Sequence, residues 1–106
     1  MLVYRSTEME KTELVPGAEA GFVHTENVTL AYWSFAPGVS IPEHAHPHEQ
    51  VVNVIDGIFE LTVGGETERL EAGAVVVIPP DVSHSGTSVT ACRLIDVFHP
   101  VREDYR

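Results

Sequence analysis

The chain has 106 residues and a hydrophobic fraction of 43%, enough for one folded domain around one core and too apolar for a disordered chain. Sixteen acidic residues against six basic ones give a net charge of −10, which repels phosphate backbones and anionic headgroups and excludes nucleic acid and membrane surfaces as expected partners. The longest apolar run, Ala74 to Ile78, is far below the roughly 20 residues a membrane span needs, the N-terminus has no apolar secretory stretch, and the single Cys92 can form no intrachain disulfide, so a cytoplasmic protein is expected.

Helical periodicity is nearly absent. Thr7 with Glu10 three residues on has the form of a capping box for one turn, and residues 1–14 read as an N-terminal arm. Short strands with turn punctuation follow. Thr29 to Phe35 is β-branched and aromatic and stops at Pro37-Gly38. Gln50 to Ile55 runs into Asp56-Gly57, a dipeptide that favours a tight hairpin because glycine accepts positive φ. Phe59, Leu61 and Val63 alternate with Glu60 and Thr62 before Gly64-Gly65 makes another turn. Thr67 to Leu70 comes next, then Gly73, then Ala74 to Ile78, read as a buried strand and ended by Pro79-Pro80-Asp81. Thr90 to Phe98 is the last strand. Residues 28–100 are thus expected to form the core of a single all-β domain. Closure into a double-sheet jelly-roll barrel would manage its edges and leave a mouth for a small molecule.

Three of the six histidines, His44, His46 and His48, fall within five residues. On an extended strand, side chains at i and i+2 share a face about 6–7 Å apart at Cα, so His44 and His46 can reach one ion at about 2.0–2.1 Å from each nitrogen. Gln50 has the same parity and offers a neutral amide oxygen, whereas parity turns Glu49 to the other face. His84 would reach the ion from another strand. Three imidazoles and one carboxamide suit one divalent transition metal ion, Zn, Ni, Fe or Mn. The same spacing also suits surface histidines that merely alternate. His48 reads as a rim or supporting residue, and His24 and His99 as ordinary surface histidines.

The segment from Gly38 through His44, His46 and Gln50 to Gly57 resembles the first cupin motif, and Gly73, Pro79 and His84 resemble the second. That resemblance covers nearly the whole chain and implies the cupin double-stranded β-helix, with His44, His46, Gln50 and His84 as metal ligands. The family's usual Glu is Gln50 here, which leaves a bound ion a stronger Lewis acid toward an anion. Asp81 stands where Gly is preferred, a mild change because Asp tolerates left-handed turns, and Ser88 replaces the usual Asn, a change expected to affect packing only.

In the last strand Cys92, Leu94, Asp96 and Phe98 share a face, which places a carboxylate on an otherwise apolar side. Either Asp96 is functional, or it is solvated at the barrel mouth, or the face with Arg93, Ile95 and Val97 is the inner one. The stretch from Asp96 to Tyr105, with His46-Pro47-His48-Glu49-Gln50, is similar to the small pectin-degradation cupins that open the ring of unsaturated uronic acids. That resemblance implies Asp96, Phe98 and Arg102 as active-site residues, although Arg102 also suits a surface ion pair with Glu103 or Asp104. The expected function is metal-dependent conversion of a 4,5-unsaturated uronate to its linear keto form. A metal-dependent dioxygenase and a non-catalytic sugar-binding module are the alternatives. Ser83 and Ser85 flank His84 without facing it, so a serine hydrolase is not expected. The partner is expected to be a small acidic molecule, and the family likeness implies a homodimer.

Overall fold

In the computed structural model, which describes residues 1–106, ten strands follow one another with almost no helix. They are β1 (Thr12–Val15), β2 (Ala18–His24), β3 (Thr29–Phe35), β4 (Ser40–His44), β5 (Glu49–Asp56), β6 (Phe59–Val63), β7 (Glu66–Leu70), β8 (Val75–Ile78), β9 (His84–Ser88) and β10 (Cys92–His99). Two 3-10 turns, Ser6–Glu8 and Glu103–Tyr105, flank them. The strands form a six-stranded sheet in the order β1-β2-β3-β10-β5-β8 and a four-stranded sheet in the order β4-β9-β6-β7. All pairings are antiparallel. This is the expected double-sheet jelly roll.

The core forms where the alternation of the strands points inward. Ala31, Trp33 and Phe35 of β3, Val52 and Val54 of β5 and Leu94 and Phe98 of β10 meet Phe59, Leu61 and Leu70 of the smaller sheet. Phe35 bridges the aromatic stack, 5.3 Å from Trp33 and 5.2 Å from Phe59 between centroids. Burying one such side chain contributes about 1.5–3 kcal/mol, so the barrel rests on its hydrocarbon. The inner face of β10 carries Cys92, Leu94, Asp96 and Phe98, all buried. Asp96 therefore lies inside, and Arg93 lies outside.

Five expectations are corrected. The run ending in β8 is not a buried strand: β8 is a sheet edge paired only with β5, and Val75 and Val77 are 59% and 57% exposed. An apolar run does not distinguish a strand covered on both faces from one covered on a single face. Asp56-Gly57 is not a hairpin, because β5 and β6 belong to different sheets. Gly57, at φ +86°, turns the corner between them, and a Cβ there would collide with the Ala91 carbonyl. Two-residue hairpins do occur at Gly64-Gly65, joining Val63 to Glu66, and at Pro16-Gly17, joining Val15 to Ala18. Thr7 makes no capping box, since the turn Ser6–Glu8 starts after Arg5 with no side-chain cap. Finally, β1 and β2 are sheet strands, so the arm is shorter than residues 1–14 and the barrel begins before residue 28.

Ser88 does more than pack. It is fully buried, donates to the Ala36 carbonyl at 2.6 Å and accepts from the Val39 amide at 2.9 Å, closing the corner between β3 and β4. Asp81 adopts φ 65°, the left-handed geometry Asp tolerates.

Candidate metal centre

Four elements converge on the histidines. His44 ends β4 and His84 begins β9, and the two are register partners. His46 lies in the connection from β4 to β5, outside any strand, so its alternation with His44 is not a strand property. Gln50 belongs to β5 of the other sheet, opposite Phe98 of β10 and Ile78 of β8. The connection folds the chain across from one sheet to the other and brings both ends to one place.

One nitrogen each of His44, His46 and His84 lies within 4.8 Å of the others. Each ring has its Nδ1 against a backbone carbonyl: Pro42 at 2.8 Å, His48 at 3.0 Å and Val82 at 2.9 Å respectively. A carbonyl only accepts, so Nδ1 carries the proton in all three and the neutral rings present Nε2 as a lone pair. Nε2 of His84 is buried with no partner. Nε2 of His46 lies 3.0 Å from Oε1 of Gln50, so two acceptors point toward one spot. Burial pushes His46 and His84 below the ordinary histidine pKa and so favours the neutral, ligating form. Three oriented lone pairs and one carboxamide oxygen fit a divalent transition ion.

His48 is absent from this cluster. It is half-buried, its ring sits 5.6 Å from that of His46, and its carbonyl orients His46. Glu49 is exposed and stands opposite His99, also exposed, at the end of the β5–β10 pairing.

A partly open cavity of about 80 Å³ adjoins the histidines. Asp96, Phe98 and Arg102 line it together with His44, Gln50 and His84. Asp96 has Ala31 and Val52 as its cross-strand neighbours, hydrocarbon on both sides. Burial therefore pushes its carboxyl up to about 7, against the opposing pull of Gln50, Trp33 and Arg102. Its Oδ1 has no hydrogen-bond partner, and neither does Trp33 Nε1. Arg102 follows β10 with its guanidinium carbon 4.9 Å from the Phe98 centroid, and it pairs with Asp104 at 2.6 Å. It is at once a cavity residue and half of an ion pair.

Sequence reasoning missed Tyr105 and misread His24. Tyr105 lines the cavity and lies 4.0 Å below the Arg102 guanidinium. It sits in a 3-10 turn beyond the last strand, where no periodicity marks a residue as inward. His24 is not an isolated surface histidine. Its Nε2 donates to the Tyr105 carbonyl at 3.2 Å and its Nδ1 accepts from the Thr29 hydroxyl at 2.9 Å.

A small jelly-roll barrel that presents three oriented imidazoles, two of them buried, beside a cavity defines the class: a barrel of the cupin type with a candidate metal centre. The cupin domain family matches residues 31–98, and the chain belongs to it. The fold superposes on KdgF from Halomonas sp. with a TM-score of 0.95 at 27% identity, covering 100% of this chain and 99% of that one. It superposes on an RmlC-like cupin from Shewanella frigidimarina with a TM-score of 0.92 at 30% identity, covering 97% and 94%. The chain is 34% identical over 89 residues to the polyketide synthase CurC of Streptomyces cyaneus, covering 83% of this chain and 53%, about half, of that one. No helix is long and apolar enough to cross a membrane.

Proposed function

We propose that this cupin converts a 4,5-unsaturated uronate monosaccharide to its linear keto form. The observation that carries the reading is the meeting, in one cavity, of a buried carboxyl near neutrality, a largely buried arginine and the imidazole cluster. The likeness to KdgF and the sequence resemblance to the pectin-degradation cupins support it.

His44, His46, Gln50 and His84 would hold a divalent ion, which would supply Lewis acidity and a fixed positive charge. Arg102 holds the sugar carboxylate, and Phe98 packs against the ring. Asp96 delivers a proton to C4 of the enol formed when the hemiacetal opens, and the proton lost from the anomeric hydroxyl balances it. The change is an isomerisation and needs no oxidant. A carboxyl near pH 7 suits this work because it both holds and releases a proton at neutrality.

Ring opening removes the ultraviolet absorbance of the conjugated enol ether. The protein is expected to speed that loss equally with and without air. Asp96→Asn should lower kcat, and Arg102→Ala should raise KM. A strict requirement for dioxygen would move the protein to the oxygenases, and no acceleration by metal-replete protein would leave a binding module.

A further inference from the structure

Arg102, which lines the cavity, already holds a carboxylate. Arg102 Nε donates to Asp104 Oδ1 at 3.1 Å, and its terminal nitrogen donates to Oδ2 at 2.6 Å. This is the two-point geometry by which arginine grips an acid. The two residues differ in burial: the side chain of Arg102 is 10% exposed and that of Asp104 is 56% exposed. Their anchoring differs as well. The Arg102 amide donates to the Thr29 hydroxyl oxygen at 2.9 Å, that hydroxyl donates to His24 Nδ1, and His24 Nε2 donates to the Tyr105 carbonyl. Tyr105 packs on Phe22 at 4.7 Å and on Phe98 at 5.8 Å between centroids. Arg102 and Tyr105, which flank Glu103 and Asp104, are thus pinned to the barrel, while the Asp104 carboxylate has Arg102 as its side-chain partner and is more than half exposed.

We propose that Asp104 is a built-in competitor for the acidic ligand: it fills the Arg102 fork in the empty cavity and must be displaced by the ligand's carboxylate. The proposal rests on the acidic-ligand reading of the cavity given above. A largely buried guanidinium left unpaired is costly, so a resident carboxylate stabilises the empty barrel. Releasing an aspartate that is already 56% exposed has a modest cost, because a partly exposed pair contributes only modestly. A ligand without a carboxylate leaves the fork paired. Asp104 therefore sets the affinity threshold for acids and is indifferent to neutral sugars.

The chain's single tryptophan, Trp33, lines the same cavity, so its fluorescence reports occupancy without turnover. D-galacturonate, which lacks the reactive double bond, and D-galactose are titrated into the full-length protein, into Asp104→Asn, into Arg102→Ala and into the double variant, at matched metal content. Asp104→Asn is expected to bind galacturonate about two- to tenfold tighter and galactose unchanged. The gain should vanish in the double variant. Unchanged or weaker galacturonate binding by Asp104→Asn overturns the proposal, because Asp104 would then be idle or merely position Arg102. Galacturonate affinity that survives Arg102→Ala, or is missing from every form, overturns the acidic-ligand reading and this proposal with it. If the Asp104→Asn gain persists while ring opening is absent, the competitor stands and only the reaction falls.

Discussion

His44 and His84 stand opposite each other across β4 and β9, their ring centroids 4.2 Å apart. Two strands of one sheet thus supply two imidazoles at a single register position. His46 arrives from the connecting segment, 4.9 Å from His84, and Gln50 from the other sheet. The centre therefore bridges the two sheets at one end of the barrel.

Changing His46 or His84 to Ala should abolish stoichiometric metal binding and leave the β-sheet circular dichroism intact. The 14-residue hydrophobic cluster, not the ion, carries the fold. His48→Ala should lose far less, since the backbone carbonyl that orients His46 survives the change. Elemental analysis of the purified variants checks this, and full occupancy in both His46→Ala and His84→Ala would contradict the assignment.

Gln50→Glu should bind metal at least as tightly and D-galacturonate about tenfold more weakly. It adds a negative charge beside the ion and beside Asp96, and both effects disfavour a second anion. Equilibrium dialysis for the metal and Trp33 fluorescence for the sugar measure the two quantities. If neither moves, Gln50 does not face the ion.

In metal-free protein the folded Asp96 keeps its proton up to about pH 7, while the unfolded chain gives it up near 3.8. The folded state binds more protons between those values, so this group removes stability as the pH rises from about 4 to about 7. His46 and His84, pushed downward, act oppositely and remove stability as the pH falls below 6.5. The Asp96 part is isolated by comparison with Asp96→Asn, which should gain on wild type across about pH 4–7 and hold its advantage above that. Denaturant unfolding at a series of pH values gives the difference. A pH-independent difference would mean that Asp96 is already ionised inside the barrel.

Gly57→Ala should destabilise the protein by about 1–3 kcal/mol, because it combines positive φ with a collision against the Ala91 carbonyl. Gly65→Ala, also at positive φ but in open space, should cost less. Thermal unfolding of the two variants ranks them, and equal costs would show that the corner at Gly57 can relax.

Much of the site was legible because period-two alternation is local. Given Leu94 and Phe98 as inward, Asp96 had to be inward too, and the structure buries it. His44, His46, Gln50 and His84 stood out by residue type and spacing, although His46 reaches its place from a connection and not from a strand. Turn chemistry misled at Asp56-Gly57, where the same positive-φ glycine serves a corner between sheets.

The sequence by itself determined which residues share a face, where turns fall and that the chain makes strands around one core. These follow from backbone geometry and side-chain type over a few neighbours. Only the tertiary structure decided which strands pair, that β8 is an exposed edge, and that Thr29, His24 and Tyr105 form one hydrogen-bonded chain across 76 residues' separation, Thr29 to Tyr105. It also decided that Arg102 grips Asp104 while lining the cavity, and that the carboxyl of Asp96 is held near neutrality. Charge pairing and desolvation depend on what arrives from elsewhere in the chain, and no local pattern encodes that.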